Sequence, residues 1–588
     1  MCRCSIESSR LLLCIDNQFE KILVSTSTAT VRPSSGPQVM PDGESSRNSV
    51  VLVPQRRLSA AGAWIVLAGA ALRLIFFFLG ENNGGDALAR AAMTAEWLQH
   101  PSFRLNFEPW LPVHFWLMGG MSLLVRDVSF GSRALSLVLG VSTLAVFWLL
   151  VKEIYGKRAA LLSLLVFTFY ALHIGYSTTS SSEAPYLFFL LCGLLAFFWY
   201  RQLHSLAFLI VAAIALAIGA GIRYEAWICI FAVFLVLLLM PSENANLGHG
   251  KHVREVLSFG AIAALWPLFW MAYQWKMFAK PLYGVTMNYA WVAQQTAIEH
   301  RSALYRLVQP AGVILLTLCP IAVIASIYGL VSGMRLRRSR EFGLILLTMG
   351  TVFAIQSTTG GVNSMARYTI TLGTLIAIPS GYGFCQFARF MRRSMQTQFR
   401  AAITVLLLLN LGAILAVSEL PNRLSDKFSA ISPRLRFPNR IEELRQYLRP
   451  RITVDDALVI DDYNVESNII AAAVGVPFRA SSRVFLASSH PISELTGFFH
   501  ERHPRYVIYS DRGVLPAALP LQGKCTSSGI RIQDRTFQCL FENDVYRVYQ
   551  VTYGQSFEAD ERFSDQAGQQ PGADQARRAG YLDNAPRL

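Results

Sequence analysis

The chain has 588 residues, of which 53% are hydrophobic and only 15% are charged, and its formal net charge is +15. An average soluble domain carries about a quarter charged residues, so this composition excludes an ordinary soluble protein. The excess of cations does not indicate nucleic-acid binding, because the basic residues cluster in loops between apolar runs. That distribution is typical of a membrane protein whose loop charges set its orientation.

Residues 1–55 are rich in Ser and Thr and lack a signal peptide, so we predict a disordered extension, with Met40 as an alternative first residue. Residues 56–420 are a succession of apolar runs, each about as long as the roughly 20 residues that cross a bilayer. We predict about eleven transmembrane helices in a polytopic α-helical membrane domain. They lie at about 60–79, 132–151, 159–177, 185–200, 205–222, 226–240, 256–275, 310–332, 341–356, 368–388 and 401–418.

The apolar segment Trp110–Val125 lies in the first outer loop, residues 80–130, and is interrupted by Pro112 and His114. We interpret it as an interfacial or re-entrant helix, with a spanning helix as the alternative. Counting it as a span would reverse every later loop, whereas eleven spans place most cationic clusters on one side. The N-terminus is then cytoplasmic and the C-terminal domain extracytoplasmic. We expect the bacterial inner membrane as the location.

Residues 421–554 have the composition of a soluble protein, and short strand-like and helix-like segments alternate in them. This alternation predicts a small α/β domain. Cys525 and Cys539 are its only cysteines, and the sequence leaves open whether they form a disulfide. Residues 555–588 are polar and rich in Gly, Gln and Ala, which predicts a disordered tail.

The first outer loop contains the clearest candidate for chemistry. Asp86 follows Gly84-Gly85 and begins a segment with a helical apolar pattern. An aspartate at a helix start often serves only as an N-cap. However, this loop leaves helix 1 at the membrane surface, where the head group of a lipid-linked substrate would lie. A carboxylate there could act as a general base toward an acceptor hydroxyl or amine.

Several features in this region occur in an order that resembles a known family. After helix 1 and Asp86 come Glu96-Trp97-Leu98, the aromatic run 110–116 and the segment 131–136. This order resembles the C superfamily of glycosyltransferases, over about residues 60–390. Its members include the protein O-mannosyltransferases and the bacterial lipid A aminoarabinose transferases. The sequence departs from the family at Ala87, where some members have a second acid, and at Glu108, where many have Lys.

The resemblance implies the reaction. A polyprenyl-phosphate-linked sugar would be the donor, and a lipid, glycan or protein on the outer face of the membrane would be the acceptor. Asp86 would be the catalytic base or the residue that orients the acceptor. The leaving group of the donor would be a lipid phosphate, and positive charge nearby is needed to stabilise it. We expect no cofactor, no obligatory metal and no nucleic-acid partner.

Three arginines near outer helix ends are candidate ligands of the donor phosphate. Arg223 and Arg367 each precede a tyrosine, as in the resembling family, while Arg73 lies within helix 1. Arginine stays charged and binds phosphate oxygens through two N–H groups at once. The competing interpretations are snorkelling toward the interface and, for Arg73, an ion pair with an internal acid.

The remaining candidates are weaker. Glu183 lies in the turn 177–185, which we interpret mainly as a polar solvated turn or a helix cap, because one acid does not make a metal site. The long outer loop 276–309, which includes Arg301, could cover the site or anchor at the interface. The candidate substrate contacts are Glu183, Tyr224, Glu225, Tyr368 and Arg301.

Two other function classes compete with a glycosyltransferase. A polytopic transporter or lipid flippase would show internal repeats and charges near the midplane of the membrane. We find no convincing repeat, and the candidate charges lie at helix ends. A subunit with a degenerate site is the third alternative. The Asp86→Asn substitution separates these classes, because only an enzyme should lose activity while still inserting into the membrane.

Overall fold

The computed structural model describes most of the chain between residues 59 and 554. The described residues are 59–99, 101–102, 110–241, 249–299, 302–360, 366–391, 393–420, 428, 430–453, 455–463, 466–475, 483–487, 492–521, 525 and 529–554. The segments 1–55 and 555–588, for which we predict disorder, lie outside the described residues, as does Glu108.

The described residues between 59 and 420 are mainly helical. Its helices are α1 (Ala60–Leu79), α2 (Gly85–Gln99), α3 (Val113–Val125), α4 (Val128–Tyr155), α5 (Lys157–Thr168), α6 (Ala171–Tyr176), α7 (Glu183–Leu203), α8 (Leu206–Ala220), α9 (Glu225–Leu239), α10 (His249–Phe278), α11 (Tyr283–Glu299), α12 (Ala303–Leu318), α13 (Pro320–Gly333), α14 (Arg337–Thr359), α15 (Ile370–Arg389) and α16 (Arg393–Ser418). A short 3₁₀ helix, Ala366–Thr369, precedes α15.

Among the described residues, six helices are long and apolar enough to cross a membrane, or seven if the bent pair α12–α13 counts as one span. They are α1, α4, α7, α10, α14 and α16. Helices α3, α8 and α9 are apolar but shorter, with 13, 15 and 15 residues. The chain is therefore an integral membrane protein with a mainly helical fold, while the count of eleven spans remains a prediction.

Two predicted helices are broken. The predicted helix 159–177 is divided into α5 and α6, which flank the extended residue Tyr170. The predicted helix 310–332 bends by 105° between α12 and α13. Pro320 begins α13, and a proline cannot continue a helix because it lacks the backbone N–H. Cys319 at the bend has a φ of 76°, in the left-handed region.

Small residues allow the helices to pack closely. Helices α13 and α15 meet at Gly329 and Gly383, and a Cβ on Gly329 would lie 2.1 Å from the carbonyl oxygen of Pro379. Close approach at small residues is the usual way in which membrane helices associate. Most of the buried core of this region is one cluster that includes Phe147, Phe167 and many aliphatic side chains, and a small second cluster contains Phe115, Met118 and Leu135.

The C-terminal domain contains one six-stranded sheet in the order β2-β1-β3-β6-β5-β4. The strands are β1 (Leu458–Ile460), β2 (Val484–Leu486), β3 (Tyr506–Tyr509), β4 (Ile530–Ile532), β5 (Arg535–Glu542) and β6 (Arg547–Tyr553). The first three are parallel and the others antiparallel. Helices α17 (Asn439–Leu448), α18 (Ser467–Ala473) and α19 (Leu495–Arg502) accompany them. Cys525 and Cys539 form a disulfide.

The C-terminal domain contacts the first outer loop directly. Glu81 forms a salt bridge of 2.9 Å with Arg445, and its backbone N–H donates to the carbonyl oxygen of Leu435 at 2.8 Å. Leu88 of α2 is buried in the apolar core of the C-terminal domain, beside α17 and α18. The first outer loop and the C-terminal domain therefore lie on the same side of the helical region, as the predicted topology requires.

Candidate active site

Helix α2 carries Asp86 in its first turn. The helix begins at Gly85, and Gly84 before it has a φ of 132°, which residues with a side chain rarely adopt. Asp86 is thus inside the helix and its carboxylate pairs with Arg367, so the N-cap interpretation does not describe its contact. The helix dipole also favours a negative charge at this end.

The carboxylate of Asp86 pairs with an arginine that is distant along the chain. Arg367 Nη1 lies 2.5 Å from Asp86 Oδ2, and its Nη2 donates to the hydroxyl of Tyr368 at 3.2 Å. Burial raises the pKa of Asp86, but the positive charges of Arg367, Arg90 and Arg223 together lower it below the ordinary value. Asp86 is therefore a carboxylate at neutral pH.

Arg223 lies between α8 and α9 and pairs with two acids. Its Nη1 donates to Glu183 at 2.6 Å, and its Nη2 donates to Glu225 at 2.6 Å. Its guanidinium carbon is 5.9 Å from the centre of the Tyr368 ring, which Arg367 also approaches, at 5.0 Å. Arg223, Arg367 and Asp86 therefore surround one small region of the structure.

The turn that precedes Glu183 is buried, so our interpretation of a solvated turn is wrong. Residues 177–182 have little exposed surface, and Glu183 is the first residue of α7. Asn82 of the first outer loop fixes the turn, because its amide donates to Ser180 Oγ and its side-chain oxygen accepts from Ser180 N, both at 2.9 Å. Glu183 is buried because Arg223 neutralises it.

Arg90, one helical turn after Asp86, was not among the predicted site residues. Its guanidinium carbon lies 4.2 Å from the centre of the Trp110 ring, and its Nη1 lies 3.4 Å from His114 Nδ1. Burial lowers the pKa of Arg90 to about 10, so it remains a cation at neutral pH. The available signal was its spacing, since residues i and i+4 share one face of a helix.

The sequence and the fold both match known glycosyltransferases. Residues 100–270 match the family described as dolichyl-phosphate-mannose-protein mannosyltransferase. The fold is similar to that of ArnT from Cupriavidus metallidurans bound to undecaprenyl phosphate, with a TM-score of 0.55 and 12% identity over 84% of this chain and 98% of that one. The chain is a membrane glycosyltransferase that resembles the C superfamily.

Two further solved structures are similar to this chain. The apo state of the same ArnT matches this chain with a TM-score of 0.53 and 12% identity, over 84% of this chain and 98% of that one. The archaeal oligosaccharyltransferase AglB from Archaeoglobus fulgidus, in complex with an inhibitory peptide and a dolichol-phosphate, gives a TM-score of 0.43 and 14% identity. The match covers 76% of this chain and 69% of that one. No curated protein matches the sequence.

Arg73 of the glycosyltransferase lies in a separate buried network. Its Nη2 is 2.7 Å from His173 Nδ1, and its Nη1 donates to the carbonyl oxygens of Gly69 at 3.0 Å and Thr168 at 3.4 Å. Within the described part of the chain no carboxylate pairs with it, so the alternative of an ion pair with an internal acid is not observed. Its side chain is fully buried and does not join the Asp86 region.

Of the remaining predicted contacts, the structure describes Glu225 and Tyr224 but not Arg301. Glu225 holds Arg223, and the hydroxyl of Tyr224 accepts from Trp270 Nε1 at 3.4 Å. Arg301 lies outside the described residues. Among the residues that the structure describes, no three His, Cys, Asp or Glu side chains are grouped to hold a metal ion.

Proposed function

We propose that this glycosyltransferase transfers a sugar from a polyprenyl-phosphate-linked donor to a lipid, glycan or protein acceptor, with Asp86 as the general base. The observation that carries the proposal is the contact of 2.5 Å between the Asp86 carboxylate and Arg367, with Arg223 beside them. The similar ArnT structure is named as a complex with undecaprenyl phosphate, which supports this class of donor.

In this reaction the acceptor hydroxyl gives its proton to the Asp86 carboxylate as its oxygen bonds to the anomeric carbon of the sugar. The bond between that carbon and the phosphate oxygen breaks, and its electron pair leaves with the polyprenyl phosphate. General-base catalysis requires an ionised carboxylate, and the lowered pKa of Asp86 provides one. Fixed cations stabilise the charge that develops on the leaving phosphate.

We assign the direct contact with the donor phosphate to Arg367. One of its Nη groups holds Asp86, the other holds Tyr368, and its buried Nε has no acceptor among the described residues. An arginine offers five N–H donors, so Arg367 can contact a phosphate and a carboxylate together. This arrangement would place the leaving group next to the base.

We assign a supporting role to Arg223. Its Nε and both Nη groups already donate to Glu183, Glu225 and the hydroxyl of Ser182. Its charge then acts on the phosphate over a distance, and its two acids set the position of its guanidinium. Arg73 has no place in the proposal because it is enclosed elsewhere.

The proposed reaction takes place on the outer face of a bacterial inner membrane. The distribution of loop cations supports this orientation, as does the contact of the first outer loop with the C-terminal domain. A lipid-linked donor in the outer leaflet would then reach Asp86 without crossing the membrane.

The test uses cells that lack the gene and express either the native chain, Asp86→Asn or Glu96→Gln. Glu96 is an exposed acid on the same helix and gives a matched control. Mass spectrometry of glycolipids and glycoproteins should show sugar-bearing products with the native chain and the control, and none with Asp86→Asn. Equal products from all three variants, at equal amounts in the membrane, would exclude Asp86 as the base.

A further inference from the structure

Arg90 is a buried cation whose charge the described structure does not neutralise by direct contact. Its exposed fraction is 7%, and it forms no salt bridge with any described residue. Arg367 pairs with Asp86, and Arg223 pairs with Glu183 and Glu225. The three arginines and three acids are thus shared unequally, and Arg90 has no carboxylate partner in the part of the chain that the structure describes.

An unpaired buried charge is costly, so a site that retains one is built for an opposite charge. Trp110 lies against the guanidinium at 4.2 Å, which fixes its plane. His114 is fully buried, and its Nδ1 lies 3.4 Å from Nη1 of Arg90, which is a long distance for a hydrogen bond. We propose that Arg90, held by Trp110 and His114, binds an anionic group of a substrate, a phosphate or a carboxylate.

The proposal rests on the proposed function, because it concerns the same site. Asp86 and Arg90 are residues i and i+4 of α2, so their Cβ atoms lie about 5–6 Å apart. An anion bound to Arg90 would therefore lie no farther from the Asp86 carboxylate than about the width of one sugar ring. Two sources have the required chemistry, namely the leaving phosphate of the donor and an anionic group on the acceptor.

Two binding measurements on the purified full-length chain separate these sources. Native mass spectrometry follows the binding of undecaprenyl phosphate, and phosphorus NMR line broadening follows inorganic phosphate added to protein saturated with that lipid. Arg90→Gln removes the charge, Arg90→Lys keeps the charge without the planar contact on Trp110, and Arg126→Gln removes an exposed cation as a control.

If Arg90 binds the donor phosphate, Arg90→Gln weakens undecaprenyl phosphate binding by about tenfold to a hundredfold, as expected for a lost charged hydrogen bond. If it binds an acceptor anion, lipid binding is retained but inorganic phosphate no longer binds to the saturated protein. In both cases Arg90→Lys keeps part of the binding, which also serves if Arg90→Gln misfolds. Unchanged binding in both measurements overturns the proposal.

The proposed function can fail separately. If the native chain binds no undecaprenyl phosphate at all, the assigned donor is wrong. Inorganic phosphate binding to the lipid-free chain, and its loss in Arg90→Gln, would still establish the anion site.

A different observation carries a second inference, about the C-terminal domain. At 100° per residue, Leu88 lies about 200° around α2 from Asp86, on the opposite face of the helix. Leu88 is 1% exposed and belongs to the core that contains Ile441 and Ile470 of the C-terminal domain. Just before the helix, Glu81 pairs with Arg445 of that domain.

We infer that the C-terminal domain positions α2, so that Glu81, Leu88 and Arg445 are positioning residues for the base. Charge reversal tests this. Glu81→Arg and Arg445→Glu should each lower the transfer rate without changing undecaprenyl phosphate binding, and the double reversal should restore the rate. If a single reversal does not reach the membrane, Glu81→Gln replaces it. Unaffected single variants, or a double variant that is not restored, would overturn the inference.

Discussion

The Asp86→Asn substitution separates the two roles that we propose for one carboxylate, namely accepting a proton and pairing with Arg367. Asparagine keeps the shape of aspartate but can neither accept the acceptor proton efficiently nor pair with a cation. General-base catalysis contributes about 10²–10⁴-fold to a rate. We therefore expect the transfer rate to fall by that factor, which corresponds to about 3–5 kcal/mol of activation free energy at 1.36 kcal/mol for each tenfold.

The same substitution should not weaken the binding of the donor lipid. In the proposed site Asp86 would compete with the donor phosphate for Arg367. The pair is partly exposed, at 31% for Asp86 and 16% for Arg367. A salt bridge of this exposure contributes about 1 kcal/mol at most. Removing it should leave undecaprenyl phosphate binding unchanged or raise the affinity by up to about fivefold.

The assay measures initial rates of sugar transfer and undecaprenyl phosphate affinity on the same purified preparations of native chain, Asp86→Asn and Glu96→Gln. The control should match the native chain in both. A large loss of rate with retained or stronger lipid binding supports a base that shares Arg367 with the phosphate. If binding is lost together with the rate, Asp86 holds the donor or the fold instead. If the rate is unaffected, another group is the base.

Three further outcomes follow from the contacts of the site. Arg367→Gln should weaken undecaprenyl phosphate binding at least tenfold, as expected for a lost charged hydrogen bond, whereas Arg389→Gln at the other end of α15 should not; equal affinities would remove Arg367 from the donor site. Arg223→Gln should lower the thermal unfolding temperature in detergent, because losing one partner of a buried pair costs about 3–5 kcal/mol, and adding Glu183→Gln should recover part of it; no recovery would show that their pairing is not the cause. Because the pKa of Asp86 is lowered, kcat/KM should hold as pH falls toward 3.8 and decline only below it; a decline already at pH 5–6 would contradict an ionised base held by arginines.

The sequence predicts the parts of the fold that depend on local pattern. A run of apolar residues long enough for a bilayer is a local property, and α1 has the predicted bounds, Ala60–Leu79. Alternating short segments likewise predicted the small α/β domain. The proximity of Asp86 and Arg367, far apart in the chain, came instead from the resemblance to a family, because no pattern in one sequence pairs distant residues.

Other features depend on packing and could not be predicted. The serine-rich turn before Glu183 reads as solvated, yet Asn82 and neighbouring helices bury it. Arg90 reads as one more surface cation on an amphipathic segment, and only the fold places it on Trp110. The bend at Cys319 carried a local signal, Pro320, but its angle of 105° depends on the helices around it.

The two paired arginines of the site are held unequally, and this difference suits the proposed order of events. Arg223 pairs with two carboxylates, one of them 3% exposed, whereas among the described residues Arg367 pairs with a single carboxylate, that of Asp86, which is 31% exposed. An arriving phosphate brings negative charge and must weaken one existing pair. The Arg367–Asp86 pair should separate at a lower cost in free energy, because Asp86 is partly exposed and water can solvate its carboxylate. Donor binding would then draw Arg367 toward the phosphate and leave the Asp86 carboxylate free to accept the proton, so that the base becomes available only when the leaving group is in place.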